Sequence, residues 1–352
     1  MGSTILLLSP LTKGCGNLST IQRISSHLES AGHSCILRDP DTISDSNRIQ
    51  EIASQLNIQM VLALHAYKAG RHLRGTSLPF ILIFGGTDIN IYAREPEKLK
   101  VMTEVVFHAK GLIAFGQSLL DAARALWPSL DTNKCFEIKQ AVVTNPSAFS
   151  ITDYLRQNAG VEIPSDVNPK VFLFVGGIRP VKDPLYLVKH FSVLHRRRKY
   201  VFFVILGSMA DESYNDEFMA GITGLPGVVY LPGLSLEDTH GAIKGSFALV
   251  NSSRSEGMAV AILEAMDLGV PVLVRDIPGN RSIVKDGVNG FVFASPEEFI
   301  QKSEVLLDEP TVGAMLVSHS TEYISEHHNV VDERTRYIEI TSTALGLSQS
   351  RN

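Results

Sequence analysis

The sequence predicts an α/β protein of two domains, each a parallel sheet covered by helices. Its 352 residues suffice for two domains of ordinary size. Short apolar runs alternate with amphipathic helical patterns, which is typical of parallel strands joined by helical crossovers. The alternation weakens between residues 144 and 169, where Pro146, Pro164 and Pro169 lie among polar residues. We therefore expect the boundary between the domains in this stretch.

The first half of the chain carries the first series of apolar runs. Residues 5–8 are apolar without alternation, as a strand buried on both faces requires. A helical pattern follows, with apolar residues at spacings of three and four from Leu18 to Leu28 and Gly32 beyond its end. The later runs of this half lie at residues 35–37, 60–64, 80–84, 112–115 and 136–138.

The second half of the chain repeats this alternation after one short helical piece near residues 151–157. Its apolar runs lie at residues 171–175, 201–206, 228–231, 248–250, 270–274 and 291–293. The pattern therefore predicts two Rossmann-like domains, at residues 1–150 and 165–330, facing each other across a cleft. Ligands of such sheets bind at the carboxyl ends of the strands, so we expect the site in that cleft. Residues 331–352 form a carboxyl-terminal segment that begins with a helical pattern.

Composition and charge exclude several classes of function. The formal net charge of −5 argues against a nucleic-acid partner, which needs a basic surface. No apolar run approaches the roughly 18 residues of a transmembrane helix. The run at residues 5–8 has no basic segment before it, so it does not predict a signal peptide, and we expect a cytoplasmic protein. The three cysteines, which are too far apart for a metal or redox motif and predict free thiols, are Cys15, Cys35 and Cys135.

The strongest chemical pattern follows the fourth apolar run of the second half. A loop of small residues leads into a helical pattern, and Glu256 and Glu264 have seven residues between them. On one continuous helix the two carboxylates would lie about 12 Å apart, and would contact two parts of one extended ligand. Glu256 is expected at the start of the helix, where the residues that follow it would present unpaired N–H groups to an anion such as phosphate. These N–H groups belong to Gly257, Met258 and Ala259. Glu256 alone could also be a simple helix N-terminal carboxylate.

A second pattern follows the first apolar run of the second half. Gly176 and Gly177 end this run, and Arg179 and Lys182 come shortly after. In a parallel sheet these cations lie at the carboxyl end of a strand, where ligands bind. A diphosphate needs such partners, since Arg binds it bidentately and Lys as a point charge. A pair of exposed loop cations is the alternative explanation.

Two weaker patterns superficially suggest metal sites. Asp39-Pro40-Asp41 is formally an Asp-x-Asp motif, but its central proline and its place after the second run predict a turn. His319, His327 and His328 have no matching carboxylate arrangement and predict surface histidines. We therefore expect no metal site.

The motifs of the second half resemble those of the group 1 (family 4) retaining glycosyltransferases, which have the GT-B fold. The family pattern is a strand followed by Ser-x-x-Glu-Gly, Leu-Glu-Ala-Met and Gly-x-Pro-Val. This chain has these motifs at residues 253–257, 263–266 and 269–272. Ile-Pro-Gly-Asn at residues 277–280 and Asp-Gly-Val-Asn-Gly at residues 286–290 also match. The resemblance is highly specific over residues 171–293.

The first half is similar to the same family more loosely. Gly14, Gly16 and Asn17 resemble the glycine-rich loop that follows the first strand. His65 resembles the histidine that closes the third strand, and Asp88 ends a segment similar to the family's His-Gly-Thr-Asp. The resemblance implies that these residues line the sugar and acceptor side. It also implies that the carboxyl-terminal helix packs back on the first domain.

The resemblance implies transfer of a sugar from a nucleotide-diphosphate sugar to an unidentified acceptor, with retained anomeric configuration and without a metal or other cofactor. Glu264 would hold the ribose hydroxyls and Glu256 would contact the sugar. Arg179, Lys182 and backbone amides would stabilise the leaving diphosphate. With His65, the residues Glu256, Lys182 and Arg179 would form the catalytic set. The implied donor site comprises Gly176, Gly177, Arg179, Lys182, Ser255, Glu256, Gly257, Met258, Ala259 and Glu264.

Three positions depart from the family pattern. Gly85 replaces the common histidine before Gly-Thr-Asp, Gly177 stands where many members have an arginine, and Ala141 replaces a common glycine. A catalytically inactive nucleotide-sugar-binding relative therefore remains an alternative, as does a nucleotide-sugar epimerase of the same architecture. A nicotinamide-dependent dehydrogenase is not favoured, because the first half has no Gly-x-Gly-x-x-Gly with a following acidic residue.

Overall fold

A computed structural model of the chain describes residues 2–11, 16–160 and 162–347, except for the side chain of Ser46. The chain divides into two compact units, Met1–Ala141 with Asn329–Asn352 and Val142–His328. Each unit contains a six-stranded parallel sheet with helices. The α/β class predicted from the alternating pattern is therefore confirmed.

The first unit is built around strands whose residues are mostly buried, as unbroken apolar runs require. Its strands are β1 (Thr4–Leu8), β2 (Ser34–Arg38), β3 (Met60–Leu64), β4 (Phe80–Ile83), β5 (Gly111–Ala114) and β6 (Cys135–Glu137). Its helices before the second unit are α1 (Gly16–Ser30), α2 (Ser46–Leu56), α3 (Gly86–Asn90), α4 (Pro96–His108) and α5 (Gln117–Leu126). The strands are parallel, in the spatial order β2-β1-β3-β4-β5-β6.

The second unit repeats this architecture. Its strands are β7 (Lys170–Val175), β8 (Val201–Leu206), β9 (Val228–Leu231), β10 (Ala248–Asn251), β11 (Val272–Arg275) and β12 (Phe291–Phe293). Its helices are α6 (Ile151–Asn158), α7 (Val188–Arg197), α8 (Glu212–Ile222), α9 (Leu236–Lys244), α10 (Val260–Asp267), α11 (Pro278–Arg281), α12 (Pro296–Asp308) and α13 (Pro310–His327). The strand order is β12-β11-β10-β7-β8-β9, so β7 and β10 are neighbours at the centre of the sheet. This pairing brings the two motif-bearing loops together at one sheet edge.

The segment before β7 packs with the second unit. Ile151 and Leu155 on α6 are buried in that unit's core. The N–H of Val142 donates to the carbonyl of His328, at 3.1 Å, where the chain leaves the unit. The second unit therefore begins at Val142, whereas the sequence pattern suggested a domain start at residue 165.

The last helix, α14 (Val330–Ala344), packs against α1 of the first unit. Arg23 donates to both carboxylate oxygens of Glu333, at 2.7 and 3.0 Å, and Nε2 of His27 lies 2.9 Å from the same carboxylate. Burial alone would raise the pKa of Glu333, but hydrogen bonds from His27 and Arg23 outweigh it and lower the pKa. The predicted return of the carboxyl-terminal helix to the first domain is confirmed.

Several side-chain expectations can be compared with the described residues. His319 and His327 are exposed, but His328 is only 2% exposed, so its prediction as a surface residue was wrong. The reason is that the chain turns inward after α13 to pair with Val142. Cys35 and Cys135 are free and half-buried, and burial raises the pKa of the Cys35 thiol to about 11. No helix in the described part of the chain is long and apolar enough to cross a membrane.

Candidate active site

The loop after β7 begins where two strand ends approach each other closely. The N–H of Gly176 donates to the carbonyl of Leu206 on β8, at 3.0 Å. A Cβ on Gly207 would lie 1.9 Å from the carbonyl oxygen of Gly176, so only glycine fits there. Gly177 follows, and a Cβ on it would lie 3.1 Å from Ala210. The structure therefore adds Gly207 to the two glycines predicted from the sequence. The backbone of Gly207 lies close to Gly176 because their strands are neighbours in the sheet, which the sequence alone does not show.

Lys182 ends a short 3₁₀ turn, Pro180–Lys182, whose geometry is fixed by the next residue. Asp183 is buried and has a left-handed backbone, with φ of 48°. Its carboxylate accepts hydrogen bonds from Arg254, at 2.9 Å, and from Arg275, at 2.8 Å. The hydroxyl of Ser252 donates to the Asp183 carbonyl, at 2.9 Å. This network connects the β7 loop to the loop after β10 and sets the direction of Lys182.

Lys182 and Glu256 form an ion pair, with Nζ 2.6 Å from Oε1. Ser253 Oγ and Asn251 Nδ2 donate to the same oxygen, at 2.6 and 3.2 Å. Burial alone would raise the pKa of Glu256, but the charge and hydrogen bond of Lys182, with those of Ser253 and Asn251, lower it. Glu256 is therefore a carboxylate at neutral pH. Its other oxygen, Oε2, accepts no hydrogen bond from the described residues.

Two further residues hold the Glu256 loop, and the sequence did not single out either of them for this role. Asn280 donates through Nδ2 to Oδ1 of Asn251, at 3.1 Å, which orients the Asn251 amide with its Nδ2 toward Glu256. A Cβ on Gly279 would lie 2.3 Å from the carbonyl oxygen of Glu256. The Ile-Pro-Gly-Asn motif at residues 277–280 therefore supports the loop that carries Glu256.

The expectation that Glu256 begins a helix was wrong. Helix α10 starts at Val260, with Ala259 as its N-cap, so Glu256 lies in the preceding loop. The estimated separation of the two carboxylates along one helix therefore does not apply. Of the three residues predicted to present N–H groups at the helix start, Ala259 is the N-cap, whereas Gly257 and Met258 lie in the preceding loop. No hydrogen bond among the described residues occupies the N–H groups of these three residues.

Glu264 lies within α10 and is 8% exposed. Its Oε1 lies 3.3 Å from Nε2 of His240, on the neighbouring helix α9. The other ring nitrogen of His240 accepts a hydrogen bond from the N–H of Asn145, at 3.0 Å. Nothing in the motif pattern pointed to His240, because it lies 24 residues before Glu264 on another helix.

The remaining predicted donor residues lie around this cluster. Arg179 is exposed at the start of the 3₁₀ turn, and its side chain contacts no charged group of the described chain. The structure thus pairs Lys182 with Glu256, whereas Arg179 forms no ion pair within the described residues. Ser255 is half-buried, and Met258 packs partly against the core of the unit.

The predicted acceptor-side residues of the first unit centre on His65 and Asp88. His65 ends β3 with a left-handed backbone, at φ of 79°, which is strained for a residue with a side chain. Asp88 is fully buried and accepts from the N–H groups of Ala66, Tyr67 and Gly85, at 2.8, 3.1 and 2.9 Å. Its Oδ2 also lies 3.4 Å from Nδ1 of His65. Asp88 therefore fixes the loop on which His65 stands.

Gly85, one of the departures from the family pattern, is explained by His65. A Cβ at residue 85 would lie 2.1 Å from both Cε1 and Nδ1 of the His65 ring. The imidazole of His65 thus occupies the space that any side chain at residue 85 would enter. A residue larger than glycine at this position is incompatible with the observed His65 ring.

The amino-terminal loop and the Asp-x-Asp motif complete the predicted set. Gly14 lies outside the described residues; Gly16 begins α1 and is exposed, and Asn17 is half-buried. Asp39 accepts from the N–H groups of Leu11 and Asp41, at 2.8 and 2.9 Å. Asp39 is thus the N-cap of a 3₁₀ turn, as predicted. No group of three or more metal-ligating side chains occurs among the described residues.

Solved structures match the chain over nearly its whole length. HepE from Anabaena, crystallised with UDP and glucose, has a TM-score of 0.77 at 18% identity, covering 97% of this chain and 100% of its own. WaaG, a glycosyltransferase involved in lipopolysaccharide biosynthesis, has a TM-score of 0.73 at 14% identity, covering 96% of this chain and 99% of its own. The chain thus has the GT-B fold of glycosyltransferases.

Sequence comparisons give the family. The model of glycosyl transferases group 1 matches residues 156–322. Glycosyltransferase 1 domain-containing protein 1 of Xenopus tropicalis is 40% identical over 333 residues, 95% of this chain and 96% of its own. The Escherichia coli UDP-Gal:alpha-D-GlcNAc-diphosphoundecaprenol alpha-1,3-galactosyltransferase is 34% identical over 130 residues, 36% of this chain and 33% of its own. The chain belongs to the group 1 glycosyltransferases.

Proposed function

We propose that this protein transfers a hexose from a UDP-sugar to an acceptor hydroxyl with retention of the anomeric configuration. The observation that carries the proposal is the cluster after β7 and β10. There the Lys182 ammonium is paired with the Glu256 carboxylate, and Glu256 is followed directly by residues 257–259, whose N–H groups make no hydrogen bond within the described part of the chain. HepE, crystallised with UDP and glucose, and the Escherichia coli UDP-Gal transferase support uridine as the base.

The diphosphate of the donor would bind the N–H groups of residues 257–259. Ala259 is the N-cap of α10, where the helix dipole favours an anion, and Gly257 and Met258 lead into it. Lys182 adds a full positive charge at the neighbouring Glu256. When the bond from the sugar to the phosphate oxygen breaks, negative charge grows on the leaving group. Preorganised donors of this kind stabilise that charge without any metal.

Glu256 would bind the sugar rather than attack it. Three donors, from Lys182, Ser253 and Asn251, converge on its Oε1, so the carboxylate is held in one orientation. Oε2 is then the oxygen that accepts a hydrogen bond from a sugar hydroxyl. We assign the acceptor's proton to the departing diphosphate, on the same face of the sugar, which gives retention. Glu264 would accept hydrogen bonds from the ribose hydroxyls.

His65 would serve the sugar and acceptor side. Its Nδ1 lies 3.4 Å from the Asp88 carboxylate, and its ring fills the space beside Gly85. An imidazole in this position can hydrogen-bond a hydroxyl of the transferred sugar. The departure at Gly85 is therefore compatible with an active enzyme.

Turnover of a UDP-sugar panel tests the proposal. The full chain is incubated with UDP-glucose, UDP-galactose or UDP-N-acetylglucosamine and a mixture of hydroxyl acceptors, and UDP release and products are measured. We expect UDP release with at least one of these sugars. Glu256→Gln should lower turnover by about 100-fold or more, as is typical when a group that stabilises the transition state is removed. Glu237→Gln, an exposed carboxylate on α9, is the matched control.

Two results would favour the alternatives. Tight UDP-sugar binding without UDP release or transfer would indicate an inactive binding protein. Formation of an epimerised UDP-sugar in the absence of any acceptor would indicate an epimerase.

A further inference from the structure

His240 is a buried histidine with both ring nitrogens in polar contacts. It lies on α9 and is 1% exposed. Nδ1 faces the backbone N–H of Asn145, at 3.0 Å, and Nε2 faces Oε1 of Glu264, at 3.3 Å. A buried histidine that served only packing would not need a carboxylate and a backbone donor on its opposite edges.

The Asn145 contact determines which nitrogen carries the proton. A backbone N–H can only donate, so Nδ1 must accept and has no hydrogen. The proton of the ring is therefore on Nε2, which points toward Glu264. Nε2 reaches no other acceptor among the described residues, and its alignment with Glu264 falls short of a full hydrogen bond. Such contacts often tighten when the substrate binds.

The segment that presents the Asn145 N–H is itself fixed on both sides. Thr144 Oγ1 donates to Asp267 at the end of α10, at 2.5 Å. The N–H of Ser147 donates to the carbonyl of Glu237, at 2.9 Å, and its hydroxyl donates to Asp238, at 2.6 Å. The ring of His240 therefore stands between an immobile donor and Glu264.

We propose that His240 is a positioning residue for nucleotide recognition, holding Oε1 of Glu264 so that Oε2 faces the ribose hydroxyls. Oε2 accepts no hydrogen bond from the described residues, and the Glu264 side chain is 10% exposed. The inference rests on the proposed function, in which Glu264 binds the ribose. It adds that the orientation of Glu264 depends on the tautomer that Asn145 imposes on His240.

Two substitutions separate this role from simple packing. His240→Asn keeps an amide oxygen near the position of Nδ1 to accept from Asn145, but it does not reach Glu264. His240→Gln extends an amide NH₂ toward the position of Nε2 and keeps a donor for Glu264. His195→Asn is the matched control, because His195 is also buried in the second unit and its Nδ1 bonds the Val201 carbonyl, at 2.8 Å, rather than a carboxylate.

The experiment is calorimetric binding of UDP and of 2′,3′-dideoxy-UDP to the full chain. We expect wild type to prefer UDP, and His240→Asn to lose about tenfold in UDP affinity while its affinity for the dideoxy nucleotide stays unchanged. His240→Gln should recover most of the preference for UDP over the dideoxy nucleotide, and His195→Asn should keep all of it. If His240→Asn prefers UDP as strongly as wild type does, the positioning role of His240 is wrong. Equal binding of both nucleotides by wild type would overturn the assignment of Glu264, and with it this inference.

Nitrogen NMR of labelled histidine in the wild-type chain gives a second test that depends on no variant. We expect His240 to show a proton on Nε2 and a bare Nδ1. UDP should move the Nε2 proton downfield as the contact with Glu264 shortens, whereas dideoxy-UDP should not. A proton on Nδ1, or the same response to both nucleotides, would contradict the proposal.

Discussion

Removal of the Lys182 charge is the perturbation whose effect the structure predicts in most detail. From the sequence alone, Lys182→Ala is expected to weaken donor binding by roughly 2–4 kcal/mol and to leave folding intact. The ion pair with Glu256 changes the second expectation, because the Glu256 side chain is 8% exposed. Lys182→Met, which keeps the apolar stem of the side chain, should therefore also lower the free energy of unfolding.

The magnitude follows from what remains around Glu256. Breaking a buried ion pair by removing one partner costs about 3–5 kcal/mol, since the other charge stays buried. Ser253 and Asn251 still donate to Oε1, which offsets about 1 kcal/mol each. We therefore expect Lys182→Met to cost about 1–3 kcal/mol. Glu256→Gln should cost less, about 1–2 kcal/mol, because the Lys182 side chain is 19% exposed and keeps access to water.

The two changes should not be additive. In Lys182→Met/Glu256→Gln no unpaired charge remains, so the double variant should be more stable than the sum of the single costs predicts by about 1–3 kcal/mol. Urea unfolding of the four proteins at pH 7.5, followed by circular dichroism and by intrinsic fluorescence, measures this coupling.

The stability cost of Lys182→Met should depend on pH, and the direction of this dependence follows from the pKa of Glu256. In wild type the folded pKa of Glu256 is lowered, so its stabilising contribution is complete above the unfolded value of 4.5 and is lost as the pH falls through the folded pKa. In Lys182→Met burial dominates and raises the pKa, so a falling pH protonates Glu256 and relieves the penalty. The cost of Lys182→Met should therefore be smaller at pH 5 than at pH 7.5. An equal cost at both values, with additive single variants, would refute this reasoning.

Three further outcomes follow from the first unit and from the anion site. Gly85→Ala should lower the free energy of unfolding by about 1–3 kcal/mol, because its Cβ would lie 2.1 Å from the His65 ring. This cost should vanish when His65 is also replaced by Ala, which thermal unfolding of the wild type, the two single variants and the double variant checks. His65→Ala should reduce turnover much more than UDP-sugar affinity, and equal losses in kinetics and calorimetry would contradict that role. Turnover should survive a chelator; abolition that manganese or magnesium restores would show that the amides and Lys182 are insufficient.

The sequence predicted the elements that depend on local pattern. Most of the strands were recognisable because they are buried apolar runs, although β2 and β6 are only partly buried, and the places of Lys182 and Glu256 followed from the strand ends. The start of α10 was misjudged for a local reason. Ser253 and Glu256 have the spacing of a helix-capping pair, yet Ser253 donates to Glu256 within the loop, and Lys182 binds the same oxygen.

The supporting residues of the site could not be found from the sequence because their contacts are distant along the chain. Asp183 meets Arg275 across 92 residues, and Asn280 meets Asn251 across 29. The motif at residues 277–280 marked Asn280 as part of the family pattern, but nothing in the sequence identified Asn251 as its partner or Arg275 as the partner of Asp183. Gly85 is a further example. In the sequence it is a departure from the family pattern that suggested an inactive relative, whereas in the structure the His65 ring occupies the space of a side chain at residue 85.

A crystal structure of the full chain with UDP would show where the nucleotide binds. We expect phosphate oxygens within hydrogen-bond distance of the N–H groups of residues 257–259 and of Lys182 Nζ, with both ribose hydroxyls at the Glu264 carboxylate. A diphosphate bound away from the start of α10, or a ribose that does not contact Glu264, would contradict this expectation.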